Sequence, residues 1–143
     1  MILLDTNVLS ELMRPAPDTA VLKWVDARPA ADVWVSSITV AEIRLGVGLL
    51  PEGRRKERLL ALAERMFDED FSGRCLSFDA SAAVEYASIV AARMSLGRPI
   101  SVEDAQIAAI ARAGRLVLAT RNLKDFSGIE GLEIVDPWSA REP

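Results

Sequence analysis

The first seven residues constrain the fold most, because a run of apolar residues is followed at once by three small polar ones. Met1 to Leu4 form the apolar run, and Asp5, Thr6 and Asn7 form the polar one. This pattern predicts a short buried strand that ends in a tight polar turn. Ligands bind at the carboxyl ends of strands in open parallel sheets, so Asp5 is a candidate for chemistry. The alternative is that Asp5 and Asn7 only form an Asx turn or cap the next helix.

The rest of the sequence predicts short strands separated by helices. Further strands are expected near 33–35, 75–78, 116–119 and 133–135, and helices over about 8–12, 19–27, 38–50, 52–70, 79–96 and 102–113. This alternation is typical of a parallel sheet with helices on both faces, so the predicted fold class is α/β. A chain of 143 residues suits a single domain over 1–143.

Composition limits the chemistry of the chain. The absence of histidine excludes Ser-His-Asp and Cys-His catalysis and metal sites with histidine ligands. The lone Cys75 cannot form an internal disulfide and is expected to be a small core residue. A formal net charge of −4 argues against attraction of the whole molecule to nucleic acid. The basic cluster at 54–58 is expected to be a solvated helix face, with a phosphate-contacting patch as the alternative.

No apolar run reaches the roughly 18 residues of a membrane span, and no signal peptide is recognisable. A cytoplasmic protein is therefore expected, without a membrane partner.

Glu42 falls on a helix face that otherwise looks apolar. It shares helical spacing with Ile38, Leu45 and Leu49, so it is expected to interrupt a buried stripe. The alternative is a capping box formed by Thr39 and Glu42. Both interpretations put Glu42 in the first turn of its helix.

Asp104 repeats this pattern on a later helix. Ile107, Ala108 and Ala111 follow it at helical spacing, which puts its carboxylate at the top of a buried face. Ser101 is the expected cap of this helix, and Glu103 is expected to point into solvent.

A further polar segment, residues 120–126, follows a predicted strand just as Asp5 does. Acidic residues at several equivalent places predict one site. Two carboxylates about 5 Å apart repel by roughly 3 kcal/mol at an effective dielectric near 20, so such a site needs protons, arginines or a divalent cation. Oxygen ligands without histidine or thiolate suit Mg²⁺ or Mn²⁺. The alternative is that Arg44, Arg98 or Arg121 form structural ion pairs there.

Four segments in order resemble the PIN-domain endoribonucleases, and more narrowly the FitB-like toxins of VapBC-type toxin-antitoxin pairs. They are Leu-Leu-Asp-Thr-Asn at 3–7, Ser-Ile-Thr-Val-Ala-Glu-Ile-Arg-Leu-Gly at 37–46, Glu-Asp-Ala-Gln-Ile-Ala-Ala-Ile-Ala at 103–111 and Thr-Arg-Asn-x-x-Asp-Phe at 120–126. The resemblance implies a single PIN-like domain, a three-layer α/β/α sandwich with a short-stranded parallel central sheet. It also implies cleavage of RNA that depends on Mg²⁺ or Mn²⁺.

The resemblance also implies roles for individual residues. Asp5, Glu42 and Asp104 match the acids that bind the metal and serve catalysis, with Thr6, Asn7 and Thr120 beside them as supporting groups. The fourth acidic position is ambiguous, because some relatives carry aspartate at the place of Asn122 and others use the later aspartate, here Asp125. Asn122 can orient a water but cannot act as a base, so the charge is assigned to Asp125.

Partners follow from the same resemblance. It implies a homodimer, an RNA substrate and a cognate antitoxin whose C-terminal tail lies in the acidic groove, where an arginine replaces the charge of the metal. Toxin and antitoxin then form a hetero-oligomer that meets DNA only through the antitoxin. The alternative function is a PIN-like module that binds an antitoxin or nucleic acid through this groove without cutting.

Overall fold

Five parallel strands form one sheet in the computed structural model, which describes residues 1–139. The strand order is β3-β2-β1-β4-β5, where β1 is Ile2–Leu4, β2 is Val33–Ser36, β3 is Cys75–Leu76, β4 is Val117–Ala119 and β5 is Ile134–Val135. The chain leaves β1 in one direction toward β2 and later returns to the other side of β1 as β4. The carboxyl ends of β1 and β4 therefore flank the point where ligands bind in folds of this type.

Seven α-helices connect these strands. They are α1 (Thr6–Leu12), α2 (Thr19–Asp26), α3 (Ser37–Gly48), α4 (Arg54–Arg65), α5 (Ala80–Ser95), α6 (Val102–Gly114) and α7 (Leu123–Phe126). A 3-10 turn at Ala30–Asp32 precedes β2, and a π-helical turn at Met66–Asp70 extends α4. The predicted alternation of strands and helices is confirmed, although α1 begins at Thr6 and not at Val8. The one-turn α7 was not predicted, and the last four residues of the predicted domain 1–143 lie outside the described residues.

Alternating side chains of β1 pack on opposite faces of the sheet. Leu3 lies in a core with α5 and α6, whereas Leu4 lies in a second core with α1 and α3. Leu118 and Ala119 divide between the two cores in the same way. Both faces of the sheet are thus covered, which confirms the predicted three-layer α/β/α sandwich. Within residues 1–139, no helix is long and apolar enough to cross a membrane.

Side-chain caps mark the first residues of α1, α3 and α6. Asp5 caps α1 and Ser36 caps α3, each accepting a hydrogen bond from a backbone N–H of the first turn. Ser101 caps α6 as predicted, and its Oγ lies 3.2 Å from the Asp104 N. These caps fix where each helix begins relative to the sheet edge.

The buried faces of two helices differ from the prediction. Leu45 and Leu49 of α3 are 63% and 75% exposed, so the predicted stripe through them is wrong. On α5, helical spacing predicts a buried stripe that ends at Met94, which is 71% exposed, so this stripe is wrong as well; its members are Ala83, Tyr86, Ala87, Val90 and Met94. The buried residues of α3 are Thr39, Ile43 and Val47, and those of α5 are Ala82, Ile89 and Arg93. Cys75 is also exposed, because it lies on the edge strand β3, so its predicted place in the core is wrong.

Candidate acidic active site

A cleft of about 640 Å³ opens at the carboxyl edge of the sheet. We call it the acidic cleft, because the carboxylates of Asp5, Glu42 and Asp104 all line it. These residues come from the end of β1, from α3 and from the start of α6. The fold therefore brings together three acids that are far apart in sequence, as predicted. Thr6, Asn7 and Asn122 line the same cleft.

Asp5 is buried and its carboxylate is held at both oxygens. Its Oδ1 accepts a hydrogen bond from the Thr6 N at 2.8 Å, and its Oδ2 accepts one from the Thr120 Oγ1 at 2.7 Å. Burial, the largest cause, and the charges of Asp104 and Glu42 together raise the pKa of Asp5 to about 6, against the lowering effect of the hydrogen bonds from Thr120 and Thr6. Within the described residues 1–139, the two hydrogen bonds therefore offset the cost of the charged form of Asp5 only in part.

Thr120 is fully buried and connects Asp5 to the next polar turn. Its Oγ1 accepts hydrogen bonds from the Asn122 N at 3.0 Å and the Asn7 Nδ2 at 3.4 Å while it donates to Asp5. The Asn7 Oδ1 in turn accepts from the Arg121 N at 3.4 Å. The turns that follow β1 and β4 are therefore tied together by side chains.

Glu42 is positioned by a line of hydroxyl groups. The Thr6 Oγ1 donates its single proton to the Glu42 Oε1 at 2.9 Å. In its other contact, with the Thr39 Oγ1 at 2.9 Å, the Thr6 Oγ1 must therefore accept and Thr39 must donate. Ser36 caps α3 through the Thr39 N, and Glu42 lies in the second turn of the helix. The predicted capping box between Thr39 and Glu42 is therefore wrong, as is the predicted place of Glu42 in the first turn.

Asp104 sits at the top of a fully buried helix face, as predicted. Ile107, Ala108 and Ala111 below it are buried, while Glu103 is exposed. Burial raises the pKa of Asp104, and the charges of Asp125 and Glu103 add to this increase, whereas a hydrogen bond from Ser101 opposes it. Desolvation and acidic neighbours thus act on Asp104 as they do on Asp5.

The two candidates for the fourth acidic position lie on different sides of Asp104. Asn122 lines the acidic cleft, whereas Asp125 lines a neighbouring cavity of about 360 Å³ that shares Asp104 with the cleft. The buried Arg93 of α5 holds this segment, because its Nη2 donates to the carbonyl oxygens of Asp125 at 2.6 Å and Ser127 at 3.1 Å. Asp125 therefore affects the acidic cleft through its charge, which raises the pKa of Asp104.

Sequence reasoning missed several residues that line the cleft. Arg14 and Arg55 contribute positive charge, and the buried Glu11 pairs with Arg14 at 3.2 Å. Trp138 lines the cleft as well. A signal for Trp138 was present, because it follows β5 and the carboxyl ends of parallel strands share one edge of the sheet. The basic cluster at 54–58 is largely solvated as predicted, yet Arg55 reaches the cleft.

The predicted alternative of structural ion pairs is wrong for the described residues 1–139. Arg44, Arg98 and Arg121 have no carboxylate within salt-bridge distance there. Instead, the guanidinium carbons of Arg44 and Arg121 lie 5.5 Å and 5.0 Å from the ring centres of Phe67 and Trp138. The negative charge of the three acids is therefore not neutralised by these arginines.

The donor set of the cleft fits a hard divalent cation that keeps part of its water shell. Within residues 1–139, no three acidic or cysteine side chains are close enough to enclose a metal by themselves. Mg²⁺ is usually bound through one or two carboxylates and several waters, and it does not require a cage made only of protein ligands. The oxygen donors of Asp5, Asp104 and Glu42, together with the raised pKa of Asp5, suit such an ion.

Comparisons with known proteins agree with this geometry. The family model of the PIN domain matches residues 2–132. Toxin FitB of Neisseria gonorrhoeae is 42% identical over 138 residues, which are 96% of this chain and 99% of FitB. VapC ribonuclease Y4jK of Sinorhizobium fredii is 41% identical over 138 residues, 96% of this chain and 98% of that protein. A chain in the structure of FitAB bound to the IR36 DNA fragment superposes with a TM-score of 0.88 at 41% identity, with 99% of each chain covered.

Proposed function

The chain belongs to the PIN-domain family, as its four motifs predicted, and on this premise we propose that it is a metal-dependent endoribonuclease, the toxin of a VapC or FitB type toxin-antitoxin pair. The observation that carries the proposal is the convergence of Asp5, Glu42 and Asp104 on one cleft. Their mutual repulsion contributes to the raised pKa of Asp5, and a cation would relieve it.

The residues of the cleft have distinct tasks in this proposal. Asp5, Asp104 and Glu42 would hold Mg²⁺ or Mn²⁺, which offsets phosphate charge and lowers the pKa of the water that attacks phosphorus. Thr120 and the Thr6 N–H keep the Asp5 carboxylate in one orientation. The Thr6 hydroxyl does the same for Glu42. These supports mean that little reorganisation is needed when RNA binds.

Asn122 and Asp125 divide the work of the fourth acidic position. Asn122, which lines the cleft, is proposed to orient a water or the RNA through its amide. Asp125 is proposed to act through its charge on Asp104. The Asp125→Asn variant should therefore reduce cleavage less than Asp104→Asn does. Equal losses in the two variants would instead place Asp125 directly at the reaction.

Cleavage of a labelled RNA by the purified protein tests the function. We expect products with 5′-phosphate and 3′-hydroxyl ends, no cleavage in EDTA, and none with Asp5→Asn or Asp104→Asn. Asp79→Asn is the matched control, because Asp79 also caps a helix but is exposed and remote from the cleft. Cleavage by Asp5→Asn at the normal rate would contradict the proposal, as would cyclic phosphate ends.

One observation favours the second function, a module that binds without cutting. The residues that line the cleft directly after β4 are Arg121 and the amide Asn122, and neither is a carboxylate. Single-turnover cleavage with Mn²⁺ in excess distinguishes the two functions. Cleavage that depends on Asp104 supports the enzyme, whereas RNA binding without any product supports the binding module.

The proposed antitoxin partner has a place to bind beside the acidic cleft. An apolar groove of about 500 Å³ lies between α1, α3 and α4 and shares Thr6, Arg14 and Glu42 with the cleft. Its apolar wall includes Met13, Ile43, Val47, Leu50 and Leu59. We propose that an apolar segment of the antitoxin lies in this groove and that an arginine beyond it enters the cleft. Contact with DNA would then come only through the antitoxin.

Two glycines of α3 give a matched test of this groove. Gly46 lines the groove and Gly48 does not, and a Cβ at either position has open space around it. Gly46→Glu should weaken antitoxin binding, because it puts a charged side chain beside the apolar wall of the groove, whereas Gly48→Glu should not. Both variants should still cleave RNA. Equal antitoxin affinity in the two variants would exclude the groove.

A homodimer is also part of the proposal. Val84 and Met94 on α5, Leu96 directly after it and Val102 at the start of α6 are large exposed apolar side chains, which a second copy would cover. Met94→Glu should lower the molar mass found by light scattering, whereas Ser95→Glu should leave it unchanged. The cytoplasm, where cellular RNA is exposed, is the proposed place of action.

A further inference from the structure

An arginine and a tryptophan lie against each other at the rim of the acidic cleft. The guanidinium carbon of Arg121 is 5.0 Å from the centre of the Trp138 ring, and both residues line the cleft with Asp5 and Asp104. Arg121 is exposed and Trp138 is partly exposed. The pair therefore offers an aromatic and a cationic plane beside the acidic residues.

The sheet itself puts these two residues together. Arg121 follows β4 and Trp138 follows β5, and the register pairs Ala119 with Val135 at the ends of these parallel strands. The Trp138 N donates to the Asp136 Oδ1 at 2.8 Å, and Pro137 between them is buried, so the turn that carries the indole is fixed. The register of the two strands and the hydrogen bond in this turn thus hold the pair in place.

The location of this pair distinguishes it from other arginine–aromatic contacts. Residues 1–139 contain three more such pairs, on Trp24, Phe67 and Phe71, and none of them lines the acidic cleft. Trp138 also lies beyond residue 132, where the match to the family model ends. The match to the family model therefore includes Arg121 but not Trp138.

Four carboxylates and three arginines line the cleft, so a contact that does not depend on phosphate charge would add to the binding of RNA there. Unpaired bases of single-stranded RNA stack on aromatic rings and on guanidinium planes, and this contact does not depend on phosphate charge. We infer that Arg121 and Trp138 form a stacking platform for an unpaired RNA base next to the phosphate that is cut. This inference rests on the proposed function, because it takes RNA as the ligand.

Binding without cleavage tests the platform directly. The Asp5→Asn protein is titrated with a single-stranded RNA of about eight nucleotides, and tryptophan fluorescence is recorded. Stacking should quench the fluorescence of Trp138. Trp138→Phe should lose most of this quenching while it keeps the affinity within about threefold, since phenylalanine still stacks. Trp24→Phe is the matched control and should keep the quenching, because Trp24 packs on Arg28 and lies outside the cleft.

Loss of the aromatic ring should weaken binding. Trp138→Leu is expected to raise the Kd for the RNA about tenfold. An oligonucleotide with abasic sites should bind equally well with Trp138 and with Leu at this position, because it has no base to stack. Arg121→Gln, at an exposed position that does not disturb the core, should weaken binding severalfold and is the second test if Trp138→Leu does not fold.

The outcomes separate this inference from the proposed function. Unchanged RNA affinity in both Trp138→Leu and Arg121→Gln overturns the platform, even if the wild-type protein cleaves RNA. Weaker antitoxin binding with unchanged RNA binding also overturns it and assigns the pair to the antitoxin. A third outcome combines quenching of Trp138 in the Asp5→Asn protein, weaker binding in Trp138→Leu and Arg121→Gln, and a wild-type protein that cuts no RNA. It would keep the platform and reject the ribonuclease.

Discussion

Replacing Asp5 by asparagine is expected to stabilise the protein near neutral pH while it abolishes RNA cleavage. Burial and the charges of Glu42 and Asp104 hold the pKa of Asp5 at about 6, above its ordinary value of 3.8. A difference of this size corresponds to about 3 kcal/mol by which the folded state disfavours the charged carboxylate. Asparagine carries no charge and avoids that penalty.

Part of this gain is lost in hydrogen bonding. The amide introduced by Asp5→Asn would keep an oxygen for the Thr6 N, but its NH₂ group must donate where Thr120 now donates to the carboxylate. Thr120 already accepts from the Asn122 N, so the new arrangement is crowded at a cost of about 1 kcal/mol. A net gain of about 2 kcal/mol in the free energy of unfolding is expected at pH near 8.

The gain must depend on pH with a definite sign. Because the folded state has the higher pKa, it binds the Asp5 proton more tightly than the unfolded chain does. The stability that Asp5 contributes is complete below about pH 4 and is lost as the pH rises through about 6. The difference in stability between Asp5→Asn and wild type should therefore grow across this window and level off above it.

Urea unfolding in the absence of divalent cations measures this difference at several pH values. Taking the difference between variant and wild type cancels the titration of all other groups. Asp79→Asn, the same change at an exposed helix cap, is measured beside it as the matched control. An Asp5→Asn protein that is no more stable than wild type at pH near 8, or a difference that does not change with pH, would refute the reasoning.

Three further predictions concern the groups around Asp5. Thr120→Val removes the hydroxyl that lowers the pKa of Asp5, so the pH profile of cleavage should move to higher pH. The same change should lower the free energy of unfolding by about 1 to 3 kcal/mol. Arg93→Met leaves the carbonyl groups of Asp125 and Ser127 without this donor and should lower the free energy of unfolding by about 1 to 3 kcal/mol in urea titrations. Mg²⁺ should raise the melting temperature of the wild-type protein, but not that of Asp5→Asn, in scanning calorimetry; equal shifts would contradict a cation held by Asp5.

The position of the site was predictable because it depends on where strands end. A short apolar run followed by polar residues marks such an end in the sequence, at Asp5 and again at Thr120. Since parallel strands share one carboxyl edge, residues that are 115 apart in sequence become hydrogen-bonded neighbours. The same rule applied to β5 would have included Trp138.

The faces of α3 and α5 were less predictable for a physical reason. Periodicity detects apolar residues at helical spacing, but it does not reveal what covers them. Leu49 and Met94 are as apolar as core residues and yet are 75% and 71% exposed. A surface that a partner covers has the same sequence pattern as a core, so a single sequence cannot separate the two.

The place of Asp125 was beyond sequence reasoning because α7 is a single turn. Four residues are too few to show a period, and so short a helix has little stability of its own. Its position depends on Arg93, which reaches it from a helix more than 30 residues earlier in the chain. This tertiary contact, the burial of Phe126 and the hydrogen bond between the Asn122 N and Thr120 all hold the segment in which Asn122 lines the cleft and Asp125 lines the neighbouring cavity.

The two interpretations that the sequence leaves open for Asp5 are compatible with each other in the structure. Capping a helix and serving a reaction were alternatives in the sequence, yet Asp5 caps α1 through Oδ1 while its carboxylate lines the cleft. The two roles support each other, because a strand that leads directly into a helix puts one carboxylate at both the sheet edge and a helix N-terminus. The cap and Thr120 fix the orientation of the carboxylate, and each oxygen retains a further lone pair. A residue held in this way can bind a cation without losing the contacts that orient it.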